Sequence, residues 1–389
     1  MRILIIFIDM VRVDHLHLYN PKTSVSLLDK RLEELGGTIF KKCYSPGPDT
    51  PRSLACMQSG FYPHYNGCDT RIKWPKFFMK EGISTIWDHA ANKGWKVNLC
   101  CRKNECLTGF FKYEESSQIN LFYDPDSFFT NGDFDDNSIS FIGIPDMHTA
   151  INDYWATDFA IRKGNKIVDL YFDRYFTNYF LDKFDNVIIF SDHGLQMESE
   201  SLNMKSSLDL LNDGRNKLLL LMHKKGDVGI EIDNRLASIT DLYATLESLI
   251  GCSDFRQGYS LLESPKRTIT HVEDHKEFTV YPEIMVKQWR IITNNFDVRT
   301  NIKDTIIDKG TEHELKDVES YLSEYSPSYF DYMKQLKVLD YYEELNREEK
   351  SHNYFIGVKR PSRAELFYTL FFLKNKYRLY LLRKKILGS

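Results

Sequence analysis

Several things are scarce in this sequence, and each shortage closes a possibility. No apolar run comes near the roughly 20 residues that a membrane-spanning helix needs. The N-terminal run from Ile3 to Ile8 stops at Asp9. It is also too short for the core of a signal peptide and has no small-residue cleavage site behind it, so neither export nor a membrane span is expected. The formal net charge is only −4, too small for a general pull on nucleic acid. Cysteines number 7, an odd count without a paired framework, and are expected to be reduced, as in a cytosolic protein. Cys100, Cys101 and Cys106 lie close together, but their spacing fits no zinc pattern. No internal repeat is visible.

What is present suits a folded chain of 389 residues, with 42% hydrophobic and 27% charged side chains. Short apolar runs at 3–8, 97–100, 140–144, 187–190 and 218–222 read as buried strands. Helical patterns fall between them at 27–35, 83–93, 156–183 and 239–250. Thr50 is a good helix cap, Pro51 suits the first helical position, and Gly60 supplies a stop, so another helix is expected from Thr50 to Ser59. The alternation predicts an α/β fold, a mostly parallel sheet sandwiched by helices. Residues 107–140, rich in Phe, Asp, Ser and Asn, are expected to be a long irregular insertion acting as a lid or substrate loop. Their acids match no calcium-loop spacing. Short strands are expected over 268–293. The expected division is an α/β domain over 1–300 and a helical C-terminal extension over 301–389, charged at first and then aromatic and basic.

In a parallel sheet, sites form beyond the carboxyl ends of the strands. Asp9 follows one such strand, Asp192 and His193 another, and His148 a third; Thr50 opens a helix out of a Pro/Gly loop. Each has an ordinary reading. An acid at a strand end is as often a turn or cap residue, a Thr before Pro is usually a cap, and His148 is more often a packed or surface residue. Ser191-Asp192-His193-Gly194 is stronger, because adjacent Asp and His at a strand end are unusual without a ligand to hold. Carboxylate, hydroxyl and imidazole suit Mn, Zn, Mg or Ca. Such an ion lowers the pKa of a hydroxyl and stabilises charge on an ester. Thr50 at a helix N-terminus would stand where an anion is already favoured. Arg12 is open to two readings, a partner of ester oxygens or a structural salt bridge.

The order of these motifs resembles the sulfatase-like branch of the alkaline phosphatase superfamily. Ile6 to Leu16 (IFIDMVRVDHL) resembles its opening strand with the first metal acid. Tyr44 to Gly67 (YSPGPDTPRSLACMQSGFYPHYNG) resembles its nucleophile segment, Phe190 to Gly194 its Ser-Asp-His-Gly motif, and Ile239 to Gly251 a late helix of the domain. The likeness covers about residues 2 to 295. It implies Asp9, Thr50, Asp192 and His193 as ligands of one divalent metal ion, or of the first of two, and Thr50 as nucleophile. Sulfatases carry a Cys or Ser that matures to formylglycine where this chain has Thr50, and the second acid of the usual pair is Met10 here. A Thr nucleophile resembles instead the phosphoglycerol and phosphoethanolamine transferases, in which a further His touches the substrate, a role for His148. Arg102 or Lys103 stands where a substrate-binding Lys is expected, and Asp146 and His271 are further substrate candidates; His275 is a weaker one.

Three functions follow as expectations. One is a metal-dependent phosphoester hydrolase or phosphotransferase acting through Thr50 on a small, glycan or lipid-linked ester. Another is a sulfuric ester hydrolase using metal-activated water. The last is a binding relative without turnover. The expected place is the cytoplasm. A peripheral contact with the inner membrane face through the aromatic and basic residues 363–389 is the alternative to that segment packing back on the domain.

Overall fold

A computed structural model describes residues 1–68, 79–101, 116–144, 147–150, 156–263, 267–277, 285–301, 305–311, 320–321, 354–355 and 358–359. Eight strands form the main sheet: β1 (Arg2–Ile8), β2 (Gly37–Tyr44), β3 (Lys96–Cys100), β4 (Ile119–Phe122), β5 (Ser138–Ile144), β6 (Asn186–Phe190), β7 (Leu220–Lys224) and β8 (Ile230–Ser238). Their order is β4-β3-β5-β1-β6-β7-β2-β8, parallel except for β7, which runs against both its neighbours.

The reason β1 is apolar from Ile3 to Ile8 is that both its faces are covered there. Ile3, Ile5 and Phe7 point to one side. They meet helices α2 (Thr50–Ser59), α3 (Ile86–Asn92) and α5 (Thr240–Leu249) through Leu54, Trp87 and Leu242. Leu4, Ile6 and Ile8 point to the other side, against α1 (Leu27–Leu35) and α4 (Asp158–Arg174) through Leu28, Leu32 and Val168. The result is the expected three-layer α/β architecture. A second, antiparallel sheet follows in the order β12-β11-β10-β9, from β9 (Ile269–Glu277), β10 (Met285–Thr293), β11 (Asp297–Thr300) and β12 (Thr305–Lys309). It continues past the expected division at residue 300, since β12 pairs with β11. Val272 and Ile292 of this sheet pack on Tyr44 and Leu236, at the ends of β2 and β8.

Four expectations are corrected. The stretch 107–140 is not one irregular insertion: β4, a helix at Pro125–Asn131 and the start of β5 lie within it. β4 is a short edge strand, too brief to show alternation. Thr50 does not cap α2. The Asp49 carboxylate accepts from the Arg52 amide and takes that place, leaving Thr50 as the first helical residue. The strands over 268–293 are two long ones rather than several short ones. Cys101 is disulfide-bonded rather than reduced; it follows the last residue of β3 and still donates its amide to the Phe122 carbonyl of β4 (3.2 Å). Cys43, Cys56, Cys68, Cys100 and Cys252 form no disulfide. Among the described residues, no helix is long and apolar enough to cross a membrane.

Candidate active site

Strands β5, β1 and β6 are adjacent, with Ile8 paired to Ile144 and Phe7 to Phe190. That register brings the chain after each strand to one edge. Asp9 donates its amide to the Ile144 carbonyl (3.1 Å), and the Met10 amide donates to Asp192 Oδ1 (3.2 Å). Met10 makes this contact from a left-handed conformation, φ 59°, which is uncommon for a side chain of its size. The His193 amide donates to the same oxygen (2.8 Å). Asp192 is therefore oriented by two backbone amides through Oδ1. Its other oxygen, Oδ2, is buried without a hydrogen-bond partner and lies 3.4 Å from His193 Nε2. Asp9 Oδ1 is 3.9 Å from the same nitrogen.

The imidazole is held in one sense. His193 Nδ1 is 2.5 Å from the Gly194 carbonyl. A carbonyl oxygen only accepts, so Nδ1 carries the hydrogen and Nε2 presents a lone pair, as in metal-ligating histidines. Thr50 Oγ1 lies 3.3 Å from that Nε2. The carboxylates of Asp9 and Asp192 and the imidazole of His193 offer donor atoms within 4.8 Å of one another, all on buried residues. A cluster of two carboxylates, an imidazole and a hydroxyl, with one buried oxygen unsatisfied, fits a divalent cation.

Thr50 is delivered by α2, which starts at the Asp49 cap and ends at Gly60 in the left-handed conformation (φ 68°). The Ser53 hydroxyl donates to the Asp192 carbonyl (2.7 Å), joining this helix to the end of β6. Arg52 is fully buried; it donates to Asp49 (2.6 Å), to the Glu273 carbonyl (2.9 Å) and to Asp274 (3.1 Å). Asp274 also accepts from Arg215 (2.6 Å). The Arg215 carbonyl in turn accepts the Gly194 amide (2.8 Å). One carboxylate of β9 thus braces both the Thr50 helix and the His193 loop. Sequence reading missed Arg52, Ser53, Arg215 and Asp274. Only Arg52 carried a signal, being the one charged residue of its helix.

Other expected residues fall elsewhere. Arg12 uses all five N–H groups on Asp14, Glu200 and the Leu195 carbonyl, so it is a structural salt bridge under the His193 loop and has no donor left for an ester. His271 is fully buried, with Nδ1 3.0 Å from the Tyr321 hydroxyl and its ring 4.3 Å from that of Tyr62. Burial lowers its pKa to about 4. It stands outside the Asp9–Asp192–His193 group. His148 is exposed, in the helical turn after β5. Arg102, Lys103 and Asp146 lie outside the described residues, as does the side chain of His275.

The architecture has counterparts among solved structures. A 2-O GAG sulfatase superposes with a TM-score of 0.59 at 15% identity, covering 90% of this chain and 93% of its own. A member of the alkaline phosphatase superfamily from Vibrio parahaemolyticus superposes with a TM-score of 0.56 at 15% identity, covering 81% of this chain and 83% of its own. The fold is that of the sulfatase-like branch of the alkaline phosphatase superfamily. A phosphonate monoester hydrolase from Silicibacter pomeroyi shares this sulfatase-like fold at 11% identity, with a TM-score of 0.58 over 86% of this chain and 95% of its own. No protein-family model and no curated protein matches the sequence.

Proposed function

We propose that this sulfatase-like chain is a metal-dependent enzyme that hydrolyses or transfers a phosphate-type ester, with Thr50 as its nucleophile. The observation that carries the reading is the placement of Thr50 Oγ1, 3.3 Å from the Nε2 lone pair of His193, at the start of α2. Asp9, Asp192, His193 and Thr50 would hold one divalent cation, of which Mn, Zn, Ca and Mg all accept this donor set. When bound, that ion supplies positive charge to the ester oxygens and lowers the pKa of a neighbouring hydroxyl.

The chain's own groups do the rest. Thr50 Oγ1 attacks phosphorus, and the N-terminus of α2 favours the anion that collects there. The Ser53 bond to Asp192 and the Arg52–Asp274 bond keep nucleophile and ligands in register. His148, reached from β5 beside β1 and open to solvent, delivers a proton to the leaving group. Water or an acceptor hydroxyl then takes the group from Thr50. A glycan or lipid-linked ester is the proposed substrate class, and the likeness to a GAG sulfatase supports a sugar ester.

The same likeness supports a second reading, a sulfuric ester hydrolase in which metal-activated water replaces Thr50. Metal content and turnover of wild type and Thr50→Ala on a phosphodiester, a phosphomonoester and a sulfate ester separate them. Phosphoester turnover lost in Thr50→Ala supports the first reading. Sulfate-only turnover that survives the substitution replaces it with the second.

A further inference from the structure

A second nucleophile arrangement stands away from the metal cluster. Ser84 Oγ is 2.9 Å from His89 Nε2, and His89 Nδ1 is 2.6 Å from Glu247 Oε1. Ser84 precedes Thr85, the cap of α3; His89 is in the last turn of α3, and Glu247 comes across from α5. Glu247 is fully buried, the His89 side chain is 18% exposed, and Ser84 is half-buried. A carboxylate only accepts, so Nδ1 carries a hydrogen and Nε2 faces the serine hydroxyl as a base. The order hydroxyl, imidazole, buried carboxylate is that of an activated serine nucleophile, recognised by geometry and not by position in the chain.

A fixed cation completes the group. Arg256 Nη2 donates to Ser84 Oγ (2.8 Å) and lies 3.5 Å from His89 Nε2. Its Nη1 is tied to the carbonyls of Ser59 and Ser84, and its guanidinium lies over the rings of Phe61 and Tyr243. A positive donor held at the hydroxyl is placed for the oxyanion that forms when that hydroxyl attacks a carbonyl.

His89, Glu247 and Cys252 also offer donor atoms at metal-ligand spacing. The charges oppose that use: Arg256 stands against the imidazole, and Lys93 is hydrogen-bonded to Cys252. A divalent ion would enter beside two cations, whereas a developing oxyanion is drawn to them.

We propose that Ser84 and His89, positioned by Glu247, form a second site that takes an acyl group from a small carboxylic ester. His89 Nε2 accepts the Ser84 proton as Oγ bonds to the carbonyl carbon. The carbon–oxygen bond to the alcohol then breaks, and Nε2 returns the proton to the leaving alkoxide. Water repeats the sequence and releases the acid. The two sites are separable, because Arg256 binds the carbonyl of Ser59, at the far end of α2 from Thr50. A helix of that length spans about 15 Å.

The test treats the intact, metal-loaded protein with an alkyl fluorophosphonate, which loses fluoride as serine Oγ bonds to phosphorus, and maps the adduct by peptide mass spectrometry. One adduct on Ser84 is expected, absent in Ser84→Ala and formed as in wild type by Thr50→Ala. Labelling and p-nitrophenyl acetate turnover should both slow at least 10-fold in His89→Gln and in Glu247→Gln. Thermal unfolding identifies any variant that has lost its fold, and Ser84→Ala removes only one hydroxyl. An unmodified Ser84 in the folded protein overturns the proposal, and so does labelling that is indifferent to His89→Gln.

Discussion

Replacing Gly194 by alanine should disable the proposed metal site while leaving the fold intact. An added Cβ at Gly194 would stand 2.0 Å from the Gly214 carbonyl oxygen, where real Cβ contacts essentially never fall below 3.0 Å. The backbone must therefore give by at least about 1 Å. Gly214 is itself packed against the Arg12 guanidinium, so closely that a Cβ there would be 2.3 Å from Nη2. Arg12 is held in turn by Asp14, Glu200 and the Leu195 carbonyl. The movement falls on the His193 side, where the Gly194 amide bond to Arg215 anchors the loop. A displacement of about 1 Å in a catalytic group costs on the order of 100-fold in rate. The assay is calorimetric titration with Mn2+ beside phosphodiester turnover, with circular dichroism to verify the fold. Wild-type metal affinity and turnover in Gly194→Ala would refute the packing argument.

Arg12→Met should lower stability by about 1–3 kcal/mol, since its partner carboxylates are partly exposed and can rehydrate; denaturant unfolding checks this, and KM should hardly move. Asp192→Asn should weaken Mn2+ binding by more than about 100-fold by titration calorimetry, because even outer-shell partners of a metal site cost 10–100-fold. His271, lowered to about 4 by burial, refuses a proton that the unfolded chain accepts near pH 6.5. It therefore costs stability as pH falls from about 6.5 toward 4, by up to roughly 3 kcal/mol. His271→Gln should flatten the pH dependence of the unfolding midpoint across that window.

The strand edge that gathers Asp9, Asp192 and His193 was legible because strands covered on both faces leave a strong trace. The runs Ile3–Ile8 and Val187–Phe190 have no polar position, and the change to Asp9 or to Ser191-Asp192-His193 is abrupt. The start of α2 at Thr50 was legible through Pro51 and Gly60, although the cap itself proved to be Asp49, whose side chain reaches the Arg52 amide. What was not legible depends on partners distant in sequence. β7 runs antiparallel between β6 and β2, and nothing in its residues announces a direction. Asp274 is one acid among many until β9 carries it to Arg52 and Arg215. Arg12 looks like an ester-binding residue by its nearness to Asp9, and only the folded chain reveals Glu200 beside it. The edge strand β4 has four residues, too few for a period to show.

The most direct test of the central claim is a mass measurement on Thr50 itself. Metal-loaded protein is mixed with a phosphodiester substrate, quenched in acid within the first turnovers, and digested. The account predicts a phosphoryl ester on the peptide carrying Thr50, absent in Thr50→Ala, which should also fail to turn over. Full turnover by Thr50→Ala, with no adduct on Thr50 in the active wild-type protein, would contradict it.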